Sequence, residues 1–254
     1  MLKKRLIGVI TVKNGLAVQS FGYDNYLPLG KPEILAKNFD RWGADEIILN
    51  VIDRSINDMG PDYNLLKKLS KYNLSTPIIY GGGISTKLDA VRVIKEGADR
   101  IILENIFHTN DKEVKNIYSS VGSQAIIMSM PVCLKKNILK QYVYTDKKII
   151  NISSIFLKYI KEKIISEIML IDYINEGSKN NFNINLIKKL KIKDISLIVF
   201  GGIGEKSIIN KLLQLDNVAA IAVGNSLNYS ENKIQDLKQT SNKHFRKIKY
   251  DNES

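Results

Sequence analysis

Short apolar runs alternate with amphipathic stretches along almost the whole chain. Eight runs of about four to seven residues are rich in Ile and Val and are apolar at nearly every position: 5–11, 46–52, 77–81, 100–104, 124–130, 167–172, 196–200 and 219–223. A strand that is covered on both faces in a parallel sheet has this pattern, whereas a half-exposed strand alternates apolar and polar residues. The runs therefore predict eight buried strands.

The stretches between these runs have helical periodicity, most clearly at 32–43, 63–72, 86–97 and 205–215. In the second, Leu65, Leu66 and Leu69 fall on one helical face. Gly43 and Gly97 stand where a glycine commonly follows the last turn of a helix. Alternating strands and helices form parallel α/β folds, and eight units suit a closed (βα)8 TIM barrel. A doubly wound open sheet is the alternative.

The chain also repeats itself at a period of 120 residues. YGGGIS at 80–85 returns as FGGIGE at 200–205, and ADRIIL at 98–103 corresponds to VAAIAV at 218–223. Two half-barrels of four units each would produce this period. Since no linker separates the halves, we expect one barrel domain over 1–240, followed by a polar C-terminal tail over 241–254.

Composition narrows the choice of environment and partners. The formal charge is +12, but the lysines are scattered among Ile and Asn with no Arg-rich run, which favours a solvated surface over nucleic-acid binding. Cys133 is the single cysteine, so no internal disulfide can form, and we expect a cytoplasmic protein. The apolar runs are too short for a membrane span. Two histidines and one cysteine offer no metal cluster, and we expect no cofactor.

Glycines that directly follow predicted strands suggest phosphate binding. In this position a glycine lets backbone N–H groups and a helix N-terminus approach an anion. One predicted phosphate site, on the 201–225 side, comprises Gly202, Gly224 and Asn225, and the other, on the 83–105 side, comprises Gly83 and Asn105. Two sites at opposite sides of one barrel mouth suit a ligand with a phosphate at each end. The simpler interpretation is that these glycines only form tight turns.

Several of these segments together resemble a known family. GVITVKNG, GADEIIL, YGGGI, GADRIIL, GSQAII and FGGIG follow the order and spacing of the cyclase subunit of imidazole glycerol phosphate synthase, over residues 4–228. YGGGI and the IDRS at 52–55 resemble the divergent branch that serves surface-polysaccharide biosynthesis. The resemblance implies a (βα)8 barrel that receives ammonia from a glutaminase at its N-terminal face. It further implies that this ammonia reacts with a phosphorylated ligand at the C-terminal face.

The residues that the resemblance assigns to catalysis are altered. The family's two acid–base aspartates, at the ends of the first and fifth strands, correspond to Thr11 and Pro131, and neither residue carries protons at neutral pH. A lysine, an aspartate and an asparagine of the family correspond to Gln19, Val51 and Glu104. We therefore expect little ordinary cyclase activity.

The opposite end of the barrel keeps the family's charges. By the resemblance, four residues form an ammonia gate at the strand N-termini, namely Arg5, Glu46, Arg100 and Glu167, with Arg100 in place of a lysine. Asp99 corresponds to a residue that contacts the glutaminase. A charge at a strand start is usually an ordinary solvated residue, but four charges of alternating sign on strands one, two, four and six are harder to attribute to chance.

These observations predict a synthase subunit, of the lyase or cyclase type, in a 1:1 complex with a glutaminase. It would pass ammonia either to a bound phosphorylated intermediate or to a third protein. For the polysaccharide branch, the resemblance implies that this third protein is an amidotransferase that makes an acetamidino sugar. Two alternatives stay open: a working cyclase of histidine biosynthesis, and a non-catalytic scaffold that activates the glutaminase.

Smaller features add little to this picture. Residues 12–30 predict a mobile lid or a packed Ω-loop over the mouth. Glu176 corresponds to a family aspartate near the second phosphate, and Asp172 ends the sixth predicted strand. His108 is best interpreted as a surface-loop histidine, and Cys133 lacks an evident partner base.

Overall fold

A computed structural model of the chain describes residues 3–179, 181–190, 192, 194–230, 233–241 and 243–247. Within this part of the chain, twelve strands belong to one sheet: β1 Arg5–Lys13, β2 Leu16–Phe21, β3 Asn25–Gly30, β4 Glu46–Val51, β5 Ile78–Gly81, β6 Arg100–Leu103, β7 Ile126–Lys135, β8 Ile138–Val143, β9 Lys148–Asn151, β10 Glu167–Asp172, β11 Ser196–Phe200 and β12 Val218–Val223. The α-helices are α1 Pro32–Arg41, α2 Tyr63–Ser70, α3 Lys87–Lys95, α4 Ile106–Thr109, α5 Asp111–Val121, α6 Ser154–Lys161, α7 Asn185–Leu190, α8 Lys206–Leu213 and α9 Lys233–Thr240.

Eight of the strands close into a parallel barrel, in the order β1, β4, β5, β6, β7, β10, β11 and β12, with β12 pairing back to β1. The predicted (βα)8 fold is confirmed, and the open-sheet alternative is wrong. Each predicted strand coincides with a barrel strand to within a few residues, except that β1 and β7 continue further, to Lys13 and Lys135.

The predicted helices form where local signals place them. Pro32 opens α1, and the Thr86 hydroxyl accepts from the backbone N–H of Asp89 in a capping box that begins α3. Gly43 and Gly97 follow α1 and α3 with positive φ angles, which a side chain disfavours. Leu65, Leu66 and Leu69 are buried on one face of α2, as the periodicity predicts.

Two apolar cores follow from the period of two along each strand. Side chains on one face pack outward against the helices. The other face fills the barrel with Ile7, Val9, Ile48, Ile79, Ile102, Ile127, Met169, Ile171, Ile198, Phe200, Ala220 and Ala222. This inner core separates the N-terminal end of the barrel from its mouth.

Two hairpin extensions rise from the barrel, one in each half. β1 continues into β2 and β3, and β7 continues into β8 and β9, all antiparallel. Residues 12–30 are thus mostly regular strand, where the sequence predicted an irregular loop.

The stretch predicted as a polar tail, 241–254, directly follows α9 in the chain. In its described part, the backbone of Lys4 pairs with residues 244–246, and Phe245 is fully buried. The rest of that stretch, at 242 and 248–254, lies outside the described residues. None of the described helices is both long and apolar enough to cross a bilayer.

Candidate functional site

The four predicted gate residues meet at the N-terminal end of the barrel. Arg5 contacts Glu46 at 3.0 Å and also pairs with Glu167, and Arg100 contacts Glu167 at 2.6 Å and Glu46 at 3.6 Å. Each arginine therefore bridges both carboxylates in a closed ring. The side chains are 10–15% exposed, so the ring lies at the barrel's end but largely out of water.

Burial and opposite charge compete in this ring. Burial opposes the charge on Arg5, but the carboxylates of Glu167 and Glu46 outweigh it and raise the pKa of Arg5. At Glu46, burial outweighs the two arginines and raises the pKa of the carboxyl. As the pH falls, Glu46 therefore takes up a proton more readily than an ordinary glutamate does, and its ion pairs with the two arginines weaken. Asp99 is exposed beside Arg100, and its carboxylate accepts from the backbone N–H of Ile78 at 2.8 Å.

At the mouth, the alternation of side chains along each strand directs six residues toward the barrel axis. Thr11 on β1 is paired with Asn50 on β4, and Pro131 on β7 with Ile171 on β10. Ser129 and Glu104 complete the inward set on β7 and after β6. Thr11 and Pro131 are the residues that the sequence resemblance matched to the acid–base aspartates. Neither side chain can act as a general acid or base at neutral pH.

A cavity of about 90 Å³ opens at this mouth, on the side of Gly83 and Asn105. The Glu104 carboxylate lies in its wall and accepts from the Ser129 hydroxyl at 2.7 Å and from the backbone N–H of Tyr144. Burial, opposed by these two hydrogen bonds, raises the pKa of Glu104 to about 7. The mouth thus contains a titratable carboxyl at the position that the sequence resemblance matched to an asparagine.

The predicted phosphate residues on the 83–105 side line this cavity. Gly83 has a φ of 72°, and its N–H donates to the Ser55 hydroxyl at 3.0 Å. Asn105 precedes α4, and its side-chain oxygen accepts from Thr145 at 3.4 Å. The Gly83 N–H therefore already has a partner.

The predicted phosphate residues on the 201–225 side lie outside that cavity. Asn225 makes two hydrogen bonds with the backbone of Ser20, at 3.2 and 2.7 Å, and so holds β2 against the end of β12. Gly202 has a φ of 71°, and Gly224 packs against Phe200. Ser226, beside Gly204, has a buried hydroxyl without a hydrogen-bond partner among the described residues.

Two carboxylates near the mouth hold loops in place. Asp172 accepts from the Asn175 side chain and from the backbone N–H of Asn183, both at 2.8 Å. Glu176 accepts from the Ser20 hydroxyl at 3.0 Å and from the Tyr23 N–H at 3.1 Å. Burial raises the pKa of both carboxyls.

Three tyrosines line the cavity, although the sequence predicted none of them as a site residue and placed Tyr23 only in the 12–30 lid segment. Tyr23 lies between β2 and β3, Tyr142 is on β8, and Tyr144 follows β8, and all three line the cavity. Aromatic residues cluster in the sequences of both hairpins, and this clustering could have indicated a site. It does so only when the hairpins are known to fold over the barrel. His108, predicted in a surface loop, instead lies partly buried on α4, 3.0 Å from the amide of Gln141.

In the part of the chain that the structure describes, no group of three or more His, Cys, Asp or Glu residues is arranged to hold a metal ion.

Comparison with known proteins agrees with this architecture. Residues 5–233 match the family described as "Histidine biosynthesis protein". A Vibrio vulnificus protein named "Putative imidazole glycerol phosphate synthase subunit hisF2" is 33% identical over 206 residues, 80% of this chain and 75% of the relative. The imidazole glycerol phosphate synthase subunit HisF of Flavobacterium psychrophilum is 28% identical over 240 residues, 94% of this chain and 95% of the relative.

A similar relationship extends to archaea, where the HisF subunit of Pyrococcus furiosus is 26% identical over 240 residues, 94% of this chain and 95% of the relative. With a family match over residues 5–233 and relatives that align over 80–94% of its length, the chain belongs to the histidine biosynthesis protein family, within which it is a HisF-like synthase subunit.

Proposed function

We propose that this HisF-like subunit takes ammonia from a glutaminase and passes it through the barrel, for amidation of a surface-polysaccharide sugar. The ion ring of Arg5, Glu46, Arg100 and Glu167 carries the proposal. A ring of two cations and two anions closes one end of the barrel while leaving no net charge there to hold a substrate. It thus suits a gate better than a catalytic centre.

The inner core above the ring supports a path for a neutral molecule. From the ring to the mouth, the inward side chains are Ile, Val, Met, Phe and Ala. Ammonia can cross such a layer, whereas ammonium would lose its hydration without compensation. The first inward polar groups beyond it are those at the mouth and include Thr11, Asn50, Glu104 and Ser129.

The glutaminase, in a 1:1 complex, docks on the N-terminal face in this proposal, with Asp99 in the interface. Co-purification with a class I glutaminase from the same genome, followed by light scattering and assay of glutamate release, tests it. We expect a heterodimer and a glutaminase rate that rises on binding. A chain that stays monomeric with that partner at micromolar concentration would refute the proposal.

A matched pair of variants locates the interface. Asp99→Asn keeps the oxygen that accepts from Ile78 but removes a charge from the N-terminal face, and should weaken the complex by about two- to fivefold. Asp146→Asn removes one exposed charge from the β8–β9 turn at the mouth and should leave affinity unchanged. Equal effects of the two variants would argue against docking at the ring.

The acceptor in this proposal carries a phosphate at the 201–225 side, where the unpartnered Ser226 hydroxyl stands beside Gly204 and follows Gly224. A third protein, an amidotransferase, would complete the sugar. Titration of ¹⁵N-glycine-labelled protein with inorganic phosphate tests the anion site, since the amides of Gly202 and Gly224 should shift saturably. We propose a cytoplasmic location for the complex.

Imidazole glycerol phosphate synthesis is the second candidate, because the relatives bear that name. Thr11 and Pro131 oppose it, since loss of an acid–base group costs roughly 10²–10⁴-fold in rate. With the ribulosyl intermediate and saturating ammonium, we expect turnover at least about 10²-fold below the roughly 10 s⁻¹ that is typical of enzymes. An ordinary turnover number would restore the cyclase function.

A further inference from the structure

The mouth cavity has an unusual electrostatic composition for a protein of net charge +12. Of the residues that line it, Glu104 is the single carboxylic acid, and none is Lys, Arg or His. The remaining polar side chains are neutral, and three of them are tyrosines: Tyr23, Tyr142 and Tyr144. When Glu104 is deprotonated, the cavity therefore presents negative potential and aromatic faces to a ligand.

Glu104 stands where the barrel interior opens into this cavity. Arg100 of the same strand belongs to the ion ring, and Ile102 belongs to the inner apolar core. The period of two carries the next inward position, Glu104, above that core. The Ser129 hydroxyl and the Tyr144 N–H hold the carboxylate in place, and no cation contributes to its pKa.

Tyr23 supplies a second, independent observation. It lines the cavity, and its hydroxyl is buried without a hydrogen-bond partner within the described part of the chain. Its ring meets that of Tyr144 edge-on, with centroids 5.6 Å apart. A buried hydroxyl without a partner is costly, so a ligand that hydrogen-bonds to it would relieve that cost.

We propose that this cavity binds an ammonium ion or a primary amine, with Glu104 as its counter-charge and proton acceptor. The N–H groups would donate to Glu104 and to the phenolic oxygen of Tyr23, and the tyrosine faces would favour the cation. Proton transfer from ammonium to the carboxylate gives neutral ammonia and a carboxylic acid, with no other bond changed. A phosphate would instead meet a carboxylate with no cation between them.

The proposed function supplies the source of the amine, and this inference rests on it to that extent. Binding of the amine in the cavity does not require the proposed function. The groups that face Glu104 are Ser129 on β7, Tyr23 from the first hairpin and Tyr142 and Tyr144 from the second, all uncharged near neutrality. With its pKa near 7, the carboxyl can both release and take up a proton at physiological pH. A bound cation should lower that pKa.

Carboxyl NMR of ¹³C-glutamate-labelled protein tests the proposal, with Glu104 assigned by its absence in Glu104→Gln. Methylammonium chloride is the probe, against sodium chloride at equal ionic strength. We expect a saturable shift of the Glu104 signal, a fall of its pKa by at least about one unit, and methylammonium affinity at least about tenfold weaker in Glu104→Gln. Glu162→Gln, which removes an exposed carboxylate, should bind as the wild type does.

Tyr23→Phe keeps the ring and removes the hydroxyl, and should weaken methylammonium binding without moving the unliganded Glu104 signal far. This variant decides the matter if Glu104→Gln folds poorly. A linear response to methylammonium, equal binding in all variants, or a saturable Glu104 shift with inorganic phosphate would overturn the proposal. Because no glutaminase takes part, failure here is distinct from failure to form the complex.

Discussion

Glu104 illustrates how one side chain changes the character of a site. An amide at this position would be neutral at every pH, whereas the carboxyl sits in the cavity wall with two hydrogen bonds and no cation among the causes of its raised pKa. The charged form is therefore disfavoured in the fold, and the pKa rises from 4.5 to about 7.

This difference makes stability depend on pH in a definite direction. Between pH 4.5 and about 7 the native carboxyl keeps its proton while the unfolded one loses it, so Glu104 lowers the free energy of unfolding as pH rises through that window. Glu104→Gln should remove this contribution. At pH 8 we expect the variant to exceed the wild type by about 1–2 kcal/mol, after allowance for partial exposure, with little difference at pH 5.

Urea unfolding at the two pH values measures this effect, and Glu162→Gln serves as the exposed control. If Glu104→Gln is destabilised by the same amount at pH 5 and at pH 8, the expected pH dependence is absent, and the carboxyl is ionised and well solvated in the native state.

Gly202 shows why a glycine after a strand is ambiguous evidence. A Cβ there would lie 2.9 Å from the Cβ of Asn175 and 3.0 Å from its carbonyl oxygen, and φ is positive. The loop requires glycine whether or not an anion binds. Loss of binding on substitution would therefore not prove a phosphate site, and amide shifts in the unaltered protein are the better measurement.

At the scale of elements, the two hairpins mark the limit of prediction from sequence. The barrel strands were readable because both faces are buried and each run is apolar throughout. The segment LAVQSFGYDNYLPLG mixes polar, aromatic and glycine residues, since β2 and β3 are largely stabilised by hairpin pairing and by contacts with distant loops. Such contacts leave no local period, so the sequence predicted a loop over the mouth but neither its strands nor Tyr23 as a residue of the cavity wall.

The first hairpin should loosen when its link to the β10 loop is removed. Glu176 accepts from the Ser20 hydroxyl and the Tyr23 N–H, and the Gly22 N–H donates to the Glu176 carbonyl. Glu176→Ala leaves two donors without the carboxylate, which should speed exchange of the Tyr23 amide by about 10- to 100-fold. Hydrogen exchange read by NMR measures this.

Asp24→Ala is the matched control, because Asp24 is exposed in the same turn. Exchange that is unchanged in Glu176→Ala, or equally fast in both variants, would mean that strand pairing alone holds the hairpin.

At the scale of the whole molecule, the sequence predicted the closed barrel and the ion ring. It did not predict that residues 244–246 pair with Lys4. The eight-unit count and the 120-residue period predicted a closed barrel of two halves. Four charges at strand starts became a ring because closure brings β1, β4, β6 and β10 to one end. The stretch after 240 carried no such pattern, although one of its residues, Phe245, is fully buried.

Phe245 should therefore contribute to global stability despite its place near the C-terminus. It packs into the outer core while Lys4 donates to the His244 carbonyl at 2.7 Å and accepts from the Arg246 N–H at 3.1 Å. Phe245→Ala removes a large buried ring, which typically costs 3–5 kcal/mol. We expect the free energy of unfolding to fall by about 3 kcal/mol, near the lower figure. The segment around Phe245 can detach from the barrel, so the loss cannot exceed the free energy with which that segment docks.

Urea unfolding monitored by circular dichroism measures the loss, with Lys247→Ala, at an exposed position, expected within about 0.5 kcal/mol of the wild type. The Arg246 amide separates the two ways in which the stability can fall. If the segment detaches, that amide exchanges freely in Phe245→Ala while β1 stays protected; if the cavity is retained, both stay protected. A stability equal to that of Lys247→Ala would show that the chain end adds nothing to the barrel, and that β1 and β12 close it unaided.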